Sequence, residues 1–161
     1  MNNRTFKILS PRYLGPGIAV LVIFFDQVSK FWMTNVLQKG EITLLPGFFD
    51  LTLVHNFGAA FGLFTNLPPF WRESILIGVA AVATFFIIWL LRQTDRIWMS
   101  MALGLVLGGA VGNLVDRLRL GWVVDFIHLH WYDLSWPVFN LADCAITLGI
   151  GMLLWDNFKN S

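Results

Sequence analysis

The sequence predicts an all-α membrane protein, with four transmembrane helices and a small strand-rich extracytoplasmic platform between helices 1 and 2. Three observations predict it. First, 57% of the 161 residues are hydrophobic and only 13% are charged, where an ordinary soluble domain carries about 25% charge. Mean hydropathy is +0.66. Second, the apolar residues gather in four stretches near the ~20 residues that cross a bilayer as a helix. They lack the alternation of barrel strands. Third, the connection after the first stretch mixes Gly and Pro with β-prone, aromatic residues. The same composition excludes other classes. The chain is too apolar to be disordered, and its one cysteine, Cys144, allows no internal disulfide. A net charge of +1 gives no footprint for nucleic acid.

The chain reads as one integral membrane domain over 1–161. The first span runs from about Leu14 to Trp32, interrupted by Asp26, Gln27 and Lys30. A basic start before an apolar run resembles a secretory signal. No small-residue cleavage site follows, so a retained helix is expected. Next comes the connection from Val36 to Arg72. Within it, Ile42 to Leu45 and Phe48 to Phe61 are strand candidates, and Pro68-Pro69 before Trp71 suggests an interfacial turn. The second span, Ser74 to Leu91, and the third, Ile97 to Val115, carry no charge. An aromatic connection, Asp116 to Trp136, leads to the fourth span, Pro137 to Trp155. There Pro137 suits a first helical turn. Trp122, Trp131, Tyr132 and Trp136 favour the headgroup level.

Orientation follows from Lys and Arg in the short flanks. Arg4, Lys7, Arg12, Arg92, Arg96 and Lys159 fall on one side, read as cytoplasmic. Lys39, Arg72, Arg117 and Arg119 fall on the other. Both termini are therefore expected inside, with the long connections outside.

Ionisable residues inside a membrane are costly and mark sites. Asp26, Ser29 and Lys30 share a helix face by their i, i+3, i+4 spacing. An Asp26–Lys30 pair fits that face, as does a snorkelling Lys30. Asn113, Asp116 and Arg117 share another face. Gly104, Gly108 and Gly112 form a small-residue stripe suited to close helix approach. Asp125 stands between Val124 and Phe126, an unusual setting for a solvated loop acid. Asn140, Asp143 and Thr147 make a polar stripe on the fourth span, which places Asp143 shallow on the outer side, where Asp125 can meet it. Two facing carboxyls in a dry site share a proton, as in aspartic proteases. One activates a water and the other polarises a carbonyl. Eight Asp offer many pairs, and an Asp–Arg117 salt bridge is the plain competitor. A proton relay or transporter uses intramembrane acids too, but needs access from both faces.

Other chemistry fits less well. Cys144, one residue round the helix from Asp143, is expected to face lipid or a neighbour and reads as a buried structural residue rather than a nucleophile. His55 reads as an interfacial hydrogen-bonding residue. His128 and His130 share a face only if their segment is a strand, and would then make metal ligands with an Asp. There is no H-E-x-x-H, so no metal and no other cofactor is expected.

Five motifs in order decide the reading. They are Asp26-Gln27-Val28-Ser29-Lys30, then Asn56-Phe57-Gly58-Ala59-Ala60-Phe61-Gly62, then Gly112-Asn113-Leu114-Val115-Asp116-Arg117, then Val124-Asp125-Phe126, and Phe139-Asn140-Leu141-Ala142-Asp143. With them the chain resembles the bacterial lipoprotein signal peptidases, or signal peptidase II, nearly end to end. The resemblance implies a multi-pass aspartic endopeptidase of the bacterial inner membrane, with its active site near the periplasmic face. It implies cleavage of signal peptides from diacylglyceryl-modified prolipoproteins, just before the lipidated cysteine. By similarity Asp125 and Asp143 are the catalytic dyad. Asn56, Gly58, Asn113, Arg117 and Asn140 bind substrate, and Asp26, Lys30 and Asp116 support them. The implied partners are lipidated precursors, membrane lipid and globomycin-type inhibitors. A monomer suffices. Neither the G-x-G-D of presenilin-like proteases nor paired D-T-G motifs occur.

Overall fold

The computed structural model describes residues 10–58 and 67–160. Four long helices are apolar enough to cross a membrane. They are α1 (Pro11–Val36), α2 (Pro69–Gln93), α3 (Ile97–Leu120) and α4 (Leu141–Asn160), with a short 3-10 turn, Leu37–Lys39, after α1. The distribution of burial is that of a protein in lipid. Phe31 and Phe85 are 75% and 74% exposed, while Asp26 and Asn140 are completely buried. Apolar side chains face outward because the bilayer replaces water as solvent, and polar ones turn inward to find partners.

α3 is the central helix. Its predicted glycine stripe meets α1: a Cβ on Gly104 would strike Gly15, one on Gly108 would strike Val22 and Ala19, and one on Gly112 would lie 2.6 Å from Asp26 Oδ2. Gly109 faces Ala142 and Ile146 of α4. Backbones thus approach closely on two sides of one helix. α2 buries only Ile87 and Leu91 and leaves most of its surface to lipid.

The helix limits differ from those expected. α2 starts at Pro69, so Pro68-Pro69 opens a helix with Pro at its first position. α3 continues past Val115 to Leu120 and ends on Gly121, whose φ of 82° closes the helix. Asp116 and Arg117 are therefore helical, not loop, residues. α4 starts at Leu141, not Pro137. Phe139 instead pairs with Ile127 in an isolated bridge.

The platform is larger than the first connection alone. β1 (Ile42–Leu45) and β2 (Phe49–Asn56) come from it as expected. The second connection, read from sequence as an aromatic loop, supplies β3 (Val123–Trp131) and β4 (Leu134–Ser135). The four strands pair antiparallel in the order β1-β2-β3-β4. The last part of the Phe48 to Phe61 strand candidate lies outside the described residues. One irregularity in the β2–β3 register matters. Asp50 stands opposite His128 and Val54 opposite Asp125, so β2 uses one extra residue between the two pairs. Successive side chains alternate faces, and a bulge resets that alternation. Asp125 and His128 therefore point to opposite faces of the sheet.

Candidate active site

Two acids reach one cavity from different elements. Asp125 comes from β3 and is 1% exposed. Asp143 comes from the first turn of α4. They line a cavity of about 760 Å³ together with Asn56, Gly58, Asn113 and Arg117.

Asp143 is placed by a helix cap. Asn140 Oδ1 accepts from the Asp143 N–H at 3.0 Å, and Asp143 Oδ2 accepts from the Asn140 N–H at 3.2 Å. This reciprocal pair is a capping box. It places Asp143 at the third helical position, shallower than a start at Pro137 implies. Asp26 caps the same helix end from α1: the Ala142 N–H donates to Asp26 Oδ1 at 3.0 Å. Two otherwise orphan N–H groups are thereby satisfied.

Asp125 is placed by strand register. It stands opposite Val54, so Asn56 is its diagonal neighbour on the same sheet face. Asn56 Nδ2 donates to Asp125 Oδ2 at 2.9 Å. Asn140 Nδ2 donates to Asp125 Oδ1 at 2.6 Å, so one asparagine touches both acids. Asn113 Nδ2 donates to Asp143 Oδ1 at 2.8 Å. Asn113 and Asn140 thus hold the two acids in place through their amide N–H groups. Burial pushes the Asp125 carboxyl up to about 6, opposed by the Asn56 amide and helped by the charge of Asp143.

Behind the acids lies a buried polar cluster. The Lys30 ammonium bonds Asp26 Oδ2 at 2.9 Å, Asp116 Oδ2 at 2.8 Å and Asn113 Oδ1 at 2.9 Å. All three of its N–H donors are used. Lys30 is only 3% exposed, so it does not snorkel. Asp116 also accepts the Val124 N–H at 3.1 Å, which ties β3 to α3 beside Asp125.

Arg117 makes no ion pair with either acid. Its guanidinium donates to the carbonyls of Asn113 at 3.4 Å and Gly58 at 3.2 Å. Thr147 joins the cavity wall. His55 packs its ring on Trp122, with centroids 5.0 Å apart. Cys144 faces outward on α4 among apolar residues of α1, as its place on the helix predicts, and is exposed rather than buried.

Sequence reasoning passed over two groups. The Gln27 amide bonds Asp26, Asp116 and the Gly112 carbonyl, a role the sequence reading does not assign it. An amide in an apolar span was the available signal. Trp136 to Phe139 forms one cavity wall, because α4 starts later than the proline suggests.

A family model described as signal peptidase (SPase) II matches residues 18–159. The chain belongs to the signal peptidase II family. It is a protease of that family, a multi-pass membrane hydrolase of the aspartic type, and the family processes prolipoproteins. The lipoprotein signal peptidase of Syntrophotalea carbinolica is 46% identical, over 89% of each chain. That of Teredinibacter turnerae is 43% identical over 88% of this chain and 84% of its own. A solved bacterial membrane enzyme shares the fold at a TM-score of 0.80 and 27% identity, covering 91% of this chain and 88% of the other.

Proposed function

We propose that Asp125 and Asp143 are the catalytic dyad of this signal peptidase, and that it cuts diacylglyceryl-modified prolipoproteins just before the lipidated cysteine. The observation that supports this reading is the convergence of the two acids on one cavity, each held by an asparagine amide. Asp125, the more deeply buried of the two acids, carries the proton that the pair shares and donates a hydrogen bond to the scissile carbonyl. Asp143, ionised, takes a proton from the attacking water. The hydroxide oxygen bonds the carbonyl carbon, and the carbonyl oxygen takes the Asp125 proton. Asp143 then gives its proton to the leaving amide nitrogen as the C–N bond breaks. Asp125 recovers its proton as the carbonyl reforms. The apparent pKa values belong to the pair.

The remaining residues bind. Among the described residues, two of the five N–H donors of Arg117 are engaged, and the others serve substrate carbonyls. Asn56 and Gly58 border the same cavity. The lipid anchor of the precursor enters from the bilayer, and globomycin-type inhibitors occupy the cavity. The enzyme acts as a monomer in the inner membrane, with both termini cytoplasmic and the dyad near the periplasmic face.

The test uses purified protein in detergent with a diacylglyceryl-modified precursor. Asp125→Asn and Asp143→Asn should each abolish cleavage in folded protein. Full activity in either variant refutes the dyad.

A further inference from the structure

On the sheet face opposite the dyad, three potential metal ligands converge. Asp50 stands directly across from His128, and His130 is the diagonal neighbour on the same face. One ligand atom from each of the three lies within 4.8 Å of the others. His130 Nε2 is 2.7 Å from Asp50 Oδ2, and His128 Nδ1 is 3.8 Å from the same oxygen. The two rings stack with centroids 4.9 Å apart.

Hydrogen bonds on the far sides of the rings determine which nitrogens are free. Ser135 Oγ donates to the Trp136 carbonyl at 3.3 Å. It therefore accepts from His128 Nε2, 2.8 Å away. That fixes the proton of a neutral His128 on Nε2 and leaves Nδ1 as a lone pair. His128 Nδ1 is buried and has no hydrogen-bond partner among the described residues. His130 Nδ1 lies 3.3 Å from the Tyr132 carbonyl, which can only accept. His130 Nε2 and Asp50 Oδ2 share a hydrogen bond at 2.7 Å, and its proton is the one a metal ion would displace. Metal-binding histidines are oriented in this way, with the outer N–H given to a carbonyl or other acceptor.

With that proton released, three electron-rich atoms face one another across the sheet. A proton on His130 satisfies that ring alone. It leaves the His128 lone pair buried against a carboxylate and stacked on the other ring. A divalent cation satisfies all three atoms at once. We propose that Asp50, His128 and His130 bind a divalent transition metal of the zinc type, contrary to the expectation of no metal from sequence. Two nitrogens and one carboxylate oxygen suit Zn²⁺ at about 2.0–2.2 Å, with water as the fourth ligand. Around such an ion the ligand atoms sit roughly 3.3 Å apart, so each must shift by about 1 Å or less. The ion clamps β2 to β3. Those strands carry Asn56 and Asp125, so the clamp holds the register on which their hydrogen bond depends.

The experiment uses full-length protein in detergent, freed of metal by a chelator at neutral pH and titrated with Zn²⁺ by calorimetry. Co²⁺ is the spectroscopic probe of coordination. Wild type should bind one Zn²⁺ and give the visible absorption of a four-coordinate Co²⁺ site. His128→Gln and His130→Gln should each weaken binding at least ~10-fold and remove that spectrum. Both variants should still unfold cooperatively on heating, which shows them folded. Asp143→Asn should bind as wild type does, which separates this site from the dyad. No saturable binding by wild type overturns the proposal, as does binding that survives both histidine substitutions.

Discussion

Replacing Asp125 by asparagine should flatten the pH dependence of stability as well as abolish cleavage. The Asp125 carboxyl is 1% exposed, and burial lifts it from 3.8 to about 6. The folded state therefore holds this proton more tightly than the unfolded chain does. Stability from this group is greatest below about pH 4 and is lost as pH rises through about 6. The loss totals about 3 kcal/mol at 1.36 kcal/mol per pH unit, with some 2 kcal/mol of it above about pH 4.5. In a chain of this size that is roughly 4–8 °C of Tm. Asp125→Asn also carries an offset independent of pH. Asn56 and Asn140 both donate to Asp125, and an amide offers only one acceptor oxygen. One N–H loses its partner at a cost of about 1–3 kcal/mol. The assay is thermal unfolding of both proteins in detergent from about pH 4.5 to 8. Subtracting wild type from variant cancels the titrating groups that do not interact with Asp125. The difference in Tm should climb by roughly 4–8 °C across that range, whatever its starting value. A flat difference refutes the assignment of Asp125 as a buried acid that carries the proton.

Two further substitutions probe the scaffold. Lys30→Met leaves Asp26 and Asp116 buried without their shared cation. It should destabilise by about 3–5 kcal/mol and, by freeing Asn113 to turn, slow cleavage roughly 100-fold. Unchanged unfolding and activity would refute the hub. Gly112→Ala drives a Cβ to 2.6 Å from Asp26 Oδ2 and should cost about 1–3 kcal/mol. The control is Gly78→Ala on α2, where nothing lies within 4 Å and the change should be neutral or mildly stabilising. Equal effects at the two glycines, read by thermal unfolding, would refute the packing argument.

The four helices were legible because a bilayer demands long apolar runs and leaves few alternatives. Their ends were less so. Asp116 and Arg117 looked like the polar exit from a span. They remain helical because Lys30 and Gln27 of α1 supply partners for Asp116, and no local pattern reports a partner that far along the chain. The run Val123 to Trp131 becomes a strand for a similar reason, since its pairing partner β2 lies before two whole helices. The acids were legible because each of the few charges in this chain stands out against apolar neighbours. The late start of α4 was not, because Pro137 satisfies the rules for a first turn while Asn140 makes the cap.

The amide geometry shows what the buried charges behind the acids do. An asparagine can present either end of its amide, and only its NH₂ end can donate to a carboxylate. In all three asparagines the oxygen is already occupied. Asn56 Oδ1 accepts from the Gly58 N–H, Asn140 Oδ1 from the Asp143 N–H, and Asn113 Oδ1 from Lys30 and Asn140. Each NH₂ is thereby left to face an acid. Lys30 touches neither Asp125 nor Asp143, yet it decides which end of Asn113 meets Asp143. Asp26 and Asp116 in turn hold Lys30, and Asp26 also caps the helix that carries Asp143. Misaligned dipoles are most costly where water cannot compensate. A site that must work at the edge of a bilayer therefore gains most from donors fixed before substrate arrives. The two buried acids and one buried lysine serve this end: they set the direction of the hydrogen bonds that hold the dyad.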